Sequence, residues 1–314
     1  LKEELVTKAA DKILSDCLNL RRHEVVLILC DSTGFEIGNI FYETLINRCK
    51  EVILTVIPVR KEDCDELPSP VIQLLTRFDV AVIITEKLLS VNSIKGALSQ
   101  CGVRTAVMSS VTTDVLSRTA HVDWRKLGVY TRRLAAQLSA SKKVRIVSEK
   151  GTDFTIEKMD VLASVDDGRL SSPGAFGPIP AGEVSISLTG CKCNGTLCID
   201  GSLLPFKVLL QEPLMLEIQE GMIKKIHDHS EAAFLERKFS LYKHARILSE
   251  FGIGTLDSAI VTGNIAEDRK ANGALHVTFG NCITTKQNFY TIGTIVNADV
   301  LLDDKPWMSN GKVI

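Results

Sequence analysis

Hydrophobic and polar positions follow two rhythms along this chain. In the first, continuous apolar runs of strand length alternate with amphipathic stretches. Leu5, Ala9, Ile13 and Leu14 recur at helical spacing within residues 1–20. Glu24–Cys30 then reads as a strand, followed by Asp31-Ser32-Thr33-Gly34 and a helical stretch through Phe41, Leu45 and Cys49. Val52–Val59 predicts a second strand, Val71–Phe78 a helix, Val80–Thr85 a third strand and Ile94–Cys101 another helix. Arg104–Ser109 is a fourth strand, and a long helix is expected over Val122–Ser139. Apolar strands joined by helices predict a parallel, doubly wound α/β sheet over residues 1–140, a supporting domain.

After the polar break Ser139–Lys143 the rhythm changes. Short alternating runs appear at 144–147, 152–156, 183–188, 195–199, 208–210, 215–218 and 222–226, separated by a Gly-, Ser- and Pro-rich loop over 166–180. Such spacing predicts a mainly antiparallel β (α+β) domain over 141–314. One helix is expected to interrupt it, capped by Ser230, carrying Phe234, Phe239, Leu241, Ala245 and Leu248 on one face and ending at Glu250 before Gly252 and Gly254. Ala274–Gly280 and the stretch around Asn297–Val300 read as closing strands.

Composition narrows the function classes. Lys and Arg number 37 against 38 Asp and Glu, a formal charge of -1, so no global field favours nucleic acid or an anionic membrane. No apolar run approaches the roughly 20 residues that cross a bilayer. Nine cysteines, an odd number scattered through a long chain, suit reduced thiols. A cytoplasmic protein is the expectation.

Chemistry concentrates between Glu250 and Asp299. Strand alternation places Glu183 with Ser185 and Ser187 on one face, His276 with Thr278 on one face, and Asn297 with Asp299 on one face. Carboxylates and an imidazole converging from strand faces suit a divalent zinc, cobalt, manganese or iron ion. Singly, each residue has a plainer role: Glu183 facing solvent, Glu250 finishing a helix, His276 as a core histidine, Asp299 in a turn or salt bridge. Cys191, Cys193 and Cys198 surround Asn194-Gly195, a dipeptide that predicts a tight hairpin turn in preference to a zinc knuckle. His227 and His229 flank Asp228 in a turn. Asp31–Gly34 lies where open sheets bind ligands, but neither phosphate-binding glycine motif is present, and a supporting turn is expected.

Gly151-Thr-Asp-Phe154, Pro180-Ala-Gly-Glu-Val184, Glu250-Phe-Gly-Ile-Gly254, Gly263-Asn264, Asp268-Arg-Lys270, Ala274-Leu-His-Val277 and a closing Asn-x-Asp occur in that order. Together they resemble the aminopeptidase T/aminopeptidase S family of metallopeptidases. The resemblance implies a homodimeric hydrolase that removes N-terminal residues from peptides with one or two divalent ions. Its ligands carry onto Glu183, Glu250, His276 and Asp299, with Glu183 and Glu250 as the catalytic carboxylates, one of them moving the proton of a metal-activated water. Asn297 stands where that family has a second ligand histidine, and an amide oxygen is a poorer ligand than imidazole, so the metal site is altered. The same fold resembles the iron-dependent dihydroxypyridine ring-cleaving dioxygenase, whose metal is held by two histidines and an aspartate. His276 and Asp299 fit two of those positions. The alternatives to the peptidase are therefore a dioxygenase-like enzyme and a non-catalytic member that binds a small molecule or peptide.

Overall fold

A computed structural model describes residues 2–63, 65–89, 91–280 and 289–314. The first elements are α1 (Lys2–Lys12), β1 (Val25–Asp31), α2 (Phe35–Leu45), β2 (Glu51–Ile57), α3 (Ser69–Leu75), β3 (Val80–Thr85), α4 (Val91–Gln100), β4 (Arg104–Ser109), α5 (Thr113–Arg118) and α6 (Trp124–Ala140). Then follow β5 (Lys143–Val147), β6 (Asp153–Glu157), β7 (Ser164–Asp166), β8 (Phe176–Pro178), β9 (Glu183–Ser187), β10 (Lys192–Ile199), β11 (Leu214–Gln219) and β12 (Met222–Ile226). The last are α7 (Ala232–Leu241), β13 (Leu248–Gly254), α8 (Ile265–Asp268), β14 (Leu275–Gly280), β15 (Tyr290–Ile295), β16 (Asp299–Leu302), β17 (Lys305–Ser309) and β18 (Lys312–Val313).

Two compact units result. One comprises Leu1–Gly128 with Asp166–Ala181, the other Val129–Val165 with Gly182–Ile314. In the first, a parallel sheet runs in the order β2-β1-β3-β4-β8. β1 and β3 are buried almost throughout, which is why they read as unbroken apolar runs. The fifth strand differs from expectation: Phe176–Pro178, inside the stretch predicted as a loop, pairs in parallel with Thr105–Val107. Three residues of Phe-Gly-Pro carry no period that a sequence pattern can register. Pairing with β4 makes them a strand.

The second unit holds an eight-stranded sheet, β12-β11-β10-β6-β5-β16-β17-β18, and a five-stranded sheet, β15-β14-β13-β9-β7. Apolar residues of both meet in one core, with Ile146, Phe154, Leu197 and Leu216 from the larger sheet and Val184, Ile186, Phe251, Ile253, Leu275 and Val277 from the smaller. Burying each such side chain contributes about 1.5–3 kcal/mol. This core orients the smaller sheet, because residues opposite its apolar positions must face the other way.

Two local expectations are corrected. Asn194-Gly195 is no turn: it lies inside β10, with Asn194 and Gly195 opposite Thr155 and Phe154 of β6 and Gly195 also opposite Ile218 of β11. Strands on both sides outweigh the dipeptide's turn preference. The helix expected to reach Glu250 ends at Leu241, its cap is Glu231 rather than Ser230, and Leu248–Gly254 is a strand. Gly252 and Gly254 disfavour helix, while Phe251 and Ile253 alternate with them at the period of a strand. Among the described residues no helix is long and apolar enough to cross a membrane.

Candidate metal centre

The face of the five-stranded sheet opposite the core carries a compact polar set. β13 lies between β9 and β14, with Glu183 opposite Gly254, Ser185 opposite Gly252, and Ser187 opposite Glu250. Across the other edge Gly252 faces His276 and Glu250 faces Thr278. Glu183, Ser185, Glu250, His276 and Thr278 therefore emerge on one face.

Gly252 makes room for the imidazole. A Cβ there would stand 2.2 Å from His276 Cε1 and 2.5 Å from Nε2, closer than any real contact. The ring lies across the glycine and reaches both carboxylates: Nε2 is 3.6 Å from Glu250 Oε1 and 3.8 Å from Glu183 Oε1. One ligand atom from each of the three residues lies within 4.8 Å of the others. Ser185 Oγ donates to Glu250 Oε2 at 3.3 Å, fixing that carboxylate.

The electrostatics are uneven across the set. His276 is fully buried, and among the described residues neither ring nitrogen makes a hydrogen bond. Leaving a buried polar group unsatisfied costs about 1–3 kcal/mol, so the ring is poised for a partner the protein does not itself supply. Burial pushes the Glu183 carboxyl up, but the cations Lys270 and Arg269, together with His276, more than reverse this and hold it well below the usual carboxylate range. Lys270 Nζ lies 3.0 Å and Arg269 Nε 3.5 Å from Glu183 Oε2. Glu250 differs, with its side chain 35% exposed, which leaves one side of the centre approachable. One imidazole nitrogen and two carboxylates, with both ring nitrogens unengaged, fit a first-row divalent ion.

Three of the five residues singled out from sequence thus come together. Asp299 is not part of this cluster among the described residues. Asn297 is exposed with a left-handed backbone (φ 54°), and Asp299 opens β16 on the larger sheet opposite Val147. There Asp299 Oδ1 accepts from the backbone N–H of Asn310 at 2.7 Å. His227 pairs with Glu217 at 2.7 Å, and His229 contacts the carbonyl oxygen of Glu212 at 2.9 Å. The seven cysteines among the described residues are free thiols. Burial pushes those of Cys193 and Cys198 up to about 12 and about 11, which suits packing rather than ligation.

The sequence pattern did not single out Lys270 as a site residue. The one available signal was an Asp-Arg-Lys run in a glycine-bounded loop between the Glu250 and His276 strands.

An antiparallel sheet presenting imidazole and carboxylates from a buried polar face, in a chain that also holds a parallel α/β unit, points to a class of candidate metal-binding protein rather than to a reaction. The family model described as NicX: 2,5-dihydroxypyridine 5,6-dioxygenase matches residues 36–285, well over half of the chain, and the chain belongs to this family. It is 26% identical over 202 residues to the 2,5-dihydroxypyridine 5,6-dioxygenase of Pseudomonas putida KT2440; the aligned part spans 58% of this chain and 58% of that protein's length. A solved structure of the 2,5-dihydroxypyridine dioxygenase from Pseudomonas putida KT2440 shares the fold with a TM-score of 0.85 at 20% identity, covering 100% of this chain and 98% of the other. Wild-type AmpT from Thermus thermophilus shares it less closely, with a TM-score of 0.71 at 14% identity and 100% coverage of both chains.

These findings overturn the assignment to aminopeptidases and with it the hydrolase reading. The dioxygenase alternative is the better supported one. The physical source of the error is that short Glu, Gly and His motifs report a sheet face and its glycine spacing. Proteins of both kinds share that scaffold.

Proposed function

We propose that this protein is an iron-dependent dioxygenase that opens the ring of a small hydroxylated nitrogen heteroaromatic, 2,5-dihydroxypyridine or a near analogue. The observation that carries the reading is the family match across the strands that bear Glu183, Glu250 and His276. These three residues would hold the iron. Iron bound there supplies the activation of dioxygen toward an electron-rich ring.

The chain's own residues do the remaining work. Lys270 and Arg269 keep Glu183 anionic in a buried setting. Ser185 orients Glu250, and Glu250 Oε2 takes up the proton of a substrate hydroxyl on the approachable side. Thr278 Oγ1, buried and without a hydrogen bond among the described residues, offers the substrate a donor beside Glu250. The homodimer expected from sequence belongs to the same reading and is checked by light scattering.

Anaerobic loading with ferrous iron, followed by oxygen-electrode and ultraviolet measurements on 2,5-dihydroxypyridine, should show oxygen and substrate disappearing in equal amounts with loss of the aromatic band. Protein that retains iron yet consumes no oxygen with hydroxypyridines would overturn the proposal.

A further inference from the structure

Lys158 is a buried charge that the candidate metal centre does not use. It follows β6 directly, is 5% exposed, and among the described residues no carboxylate forms an ion pair with it. A lysine is seldom buried without an acid beside it. Its Nζ donates instead to the carbonyl oxygens of Ser139 at 2.9 Å and Val161 at 3.4 Å. Ser139 lies in the last turn of α6, where carbonyls lack helical partners and favour a cation. Burial nevertheless pulls the basicity of this amine below the usual lysine range.

The group beside it is a thiol. β6 and β10 pair with Ile156 opposite Cys193 and Glu157 opposite Lys192, so one further rung of the ladder sets Lys158 opposite Cys191. Directly opposed residues on antiparallel strands have Cβ atoms about 4.5–5.5 Å apart. Ile156 and Cys193 are buried, Glu157 and Lys192 are exposed, and by parity the next pair turns inward again. Cys191 packs against the core yet keeps partial exposure, so a small solute reaches its sulfur while the amine is enclosed. The two groups also act on each other's charge. Burial pushes the Cys191 thiol up and Lys158 opposes it, while Cys191 is foremost among the groups that favour the Lys158 ammonium.

The pair sits at a junction. Cys191 closes the turn from β9 to β10: its N–H donates to the Leu188 carbonyl at 3.0 Å and its Sγ to the Ser187 carbonyl at 3.6 Å. Ser187 ends β9, the strand that begins with Glu183. We propose that Lys158 and Cys191 are an oxidant-responsive pair, in which hydrogen peroxide drives a bond between Cys191 Sγ and Lys158 Nζ that fastens the β9–β10 turn to the end of β6. Peroxide first converts the thiol to a sulfenic acid and leaves as one water. The Nζ lone pair then attacks sulfur, the S–N bond forms as the S–O bond breaks, and the hydroxide departs with an amine proton as a second water. Sulfur loses two electrons and peroxide gains them. Sulfenic acids condense with nitrogen in this way, and the lowered basicity of Lys158 supplies the neutral amine that the attack requires.

Hydrogen peroxide alone is the probe, added to the whole chain and followed by intact-mass and peptide mass spectrometry. The wild type should lose about 2 Da, yield a peptide joining Lys158 to Cys191, and return to its starting mass with dithiothreitol. Lys158→Arg keeps a cation at the end of α6 without a primary amine. Its Cys191 should be trapped by dimedone as the sulfenic acid, with no link formed. Cys191→Ser should show neither product, and it is read alone if Lys158→Arg departs from the wild-type circular dichroism. A lysine that serves only to cap the helix would leave the oxidation products indifferent to its replacement. Sulfinic acid on Cys191 beside an unmodified Lys158, or a sulfur that peroxide leaves untouched, overturns the proposal.

Discussion

Two buried carboxylates, Asp31 and Glu183, stand at the ends of strands in different units, and their surroundings are opposite. Asp31 Oδ1 accepts from Thr33 N–H at 3.1 Å, Thr33 Oγ1 at 2.7 Å and Gly34 N–H at 3.1 Å, and Oδ2 accepts from Glu86 N–H at 2.7 Å. Each of its oxygens has a backbone donor of the protein's own, so Asp31 ties the turn after β1 to the end of β3. Glu183 instead meets cations on one oxygen and, on the other, a histidine whose nitrogens make no hydrogen bond among the described residues. Burial alone does not mark a functional acid. What marks it is the unsatisfied imidazole facing it, because a protein that leaves buried polar groups unsatisfied loses stability unless a ligand completes them.

That contrast can be broken from either end. The largest effects should come from the paired variants Asp31→Ala and His276→Ala. Asp31→Ala leaves buried N–H donors without an acceptor and should cost about 3 kcal/mol in chemical denaturation, with manganese affinity unchanged. His276→Ala should do the reverse, weakening manganese binding by more than about 100-fold, as expected when the sole nitrogen ligand is lost, while the melting temperature of the metal-free protein holds or rises. Loss of stability in His276→Ala without loss of metal would make the histidine a core residue after all.

Gly252→Ala comes next. The added methyl collides with the imidazole, and overpacking of this kind costs about 1–3 kcal/mol. Metal affinity should fall by about 10-fold or more as the ring is displaced, a change of about 1.4 kcal/mol or more in binding free energy. An alanine here that leaves manganese binding intact would show that the ring does not need its present position. The smallest effect belongs to Ser185→Ala. It removes the hydrogen bond to Glu250, worth about 1 kcal/mol, and should lower turnover several-fold with little change in stability. A drop in stability with unchanged turnover would assign Ser185 to packing instead.

What the sequence determined by itself was periodicity and parity. Four apolar runs between helical stretches defined the parallel sheet, and two of them, β1 and β3, are apolar almost throughout because strands buried on both faces need apolar residues at nearly every position. Alternation correctly set Glu183 on the side of Ser185 and His276 on the side of Thr278, since side-chain direction along a strand is a local property. Tertiary structure alone decided the rest. Phe176–Pro178 became a strand only by pairing with β4, and Asn194-Gly195 stayed extended only because β6 and β11 flank it. Glu250 joined the centre as part of a strand, not a helix end.

The last two decisions were made by absences of side chain. Gly252 admits the His276 ring and Gly254 admits the backbone that delivers Lys270, and the spaces they leave are occupied by residues 16–24 positions further along the chain. No local pattern encodes which distant group enters such a gap. The candidate metal-binding face was therefore legible as a set of residue types, whereas its membership, its charge balance and the absence of Asp299 from the cluster arose only when the strands were laid side by side.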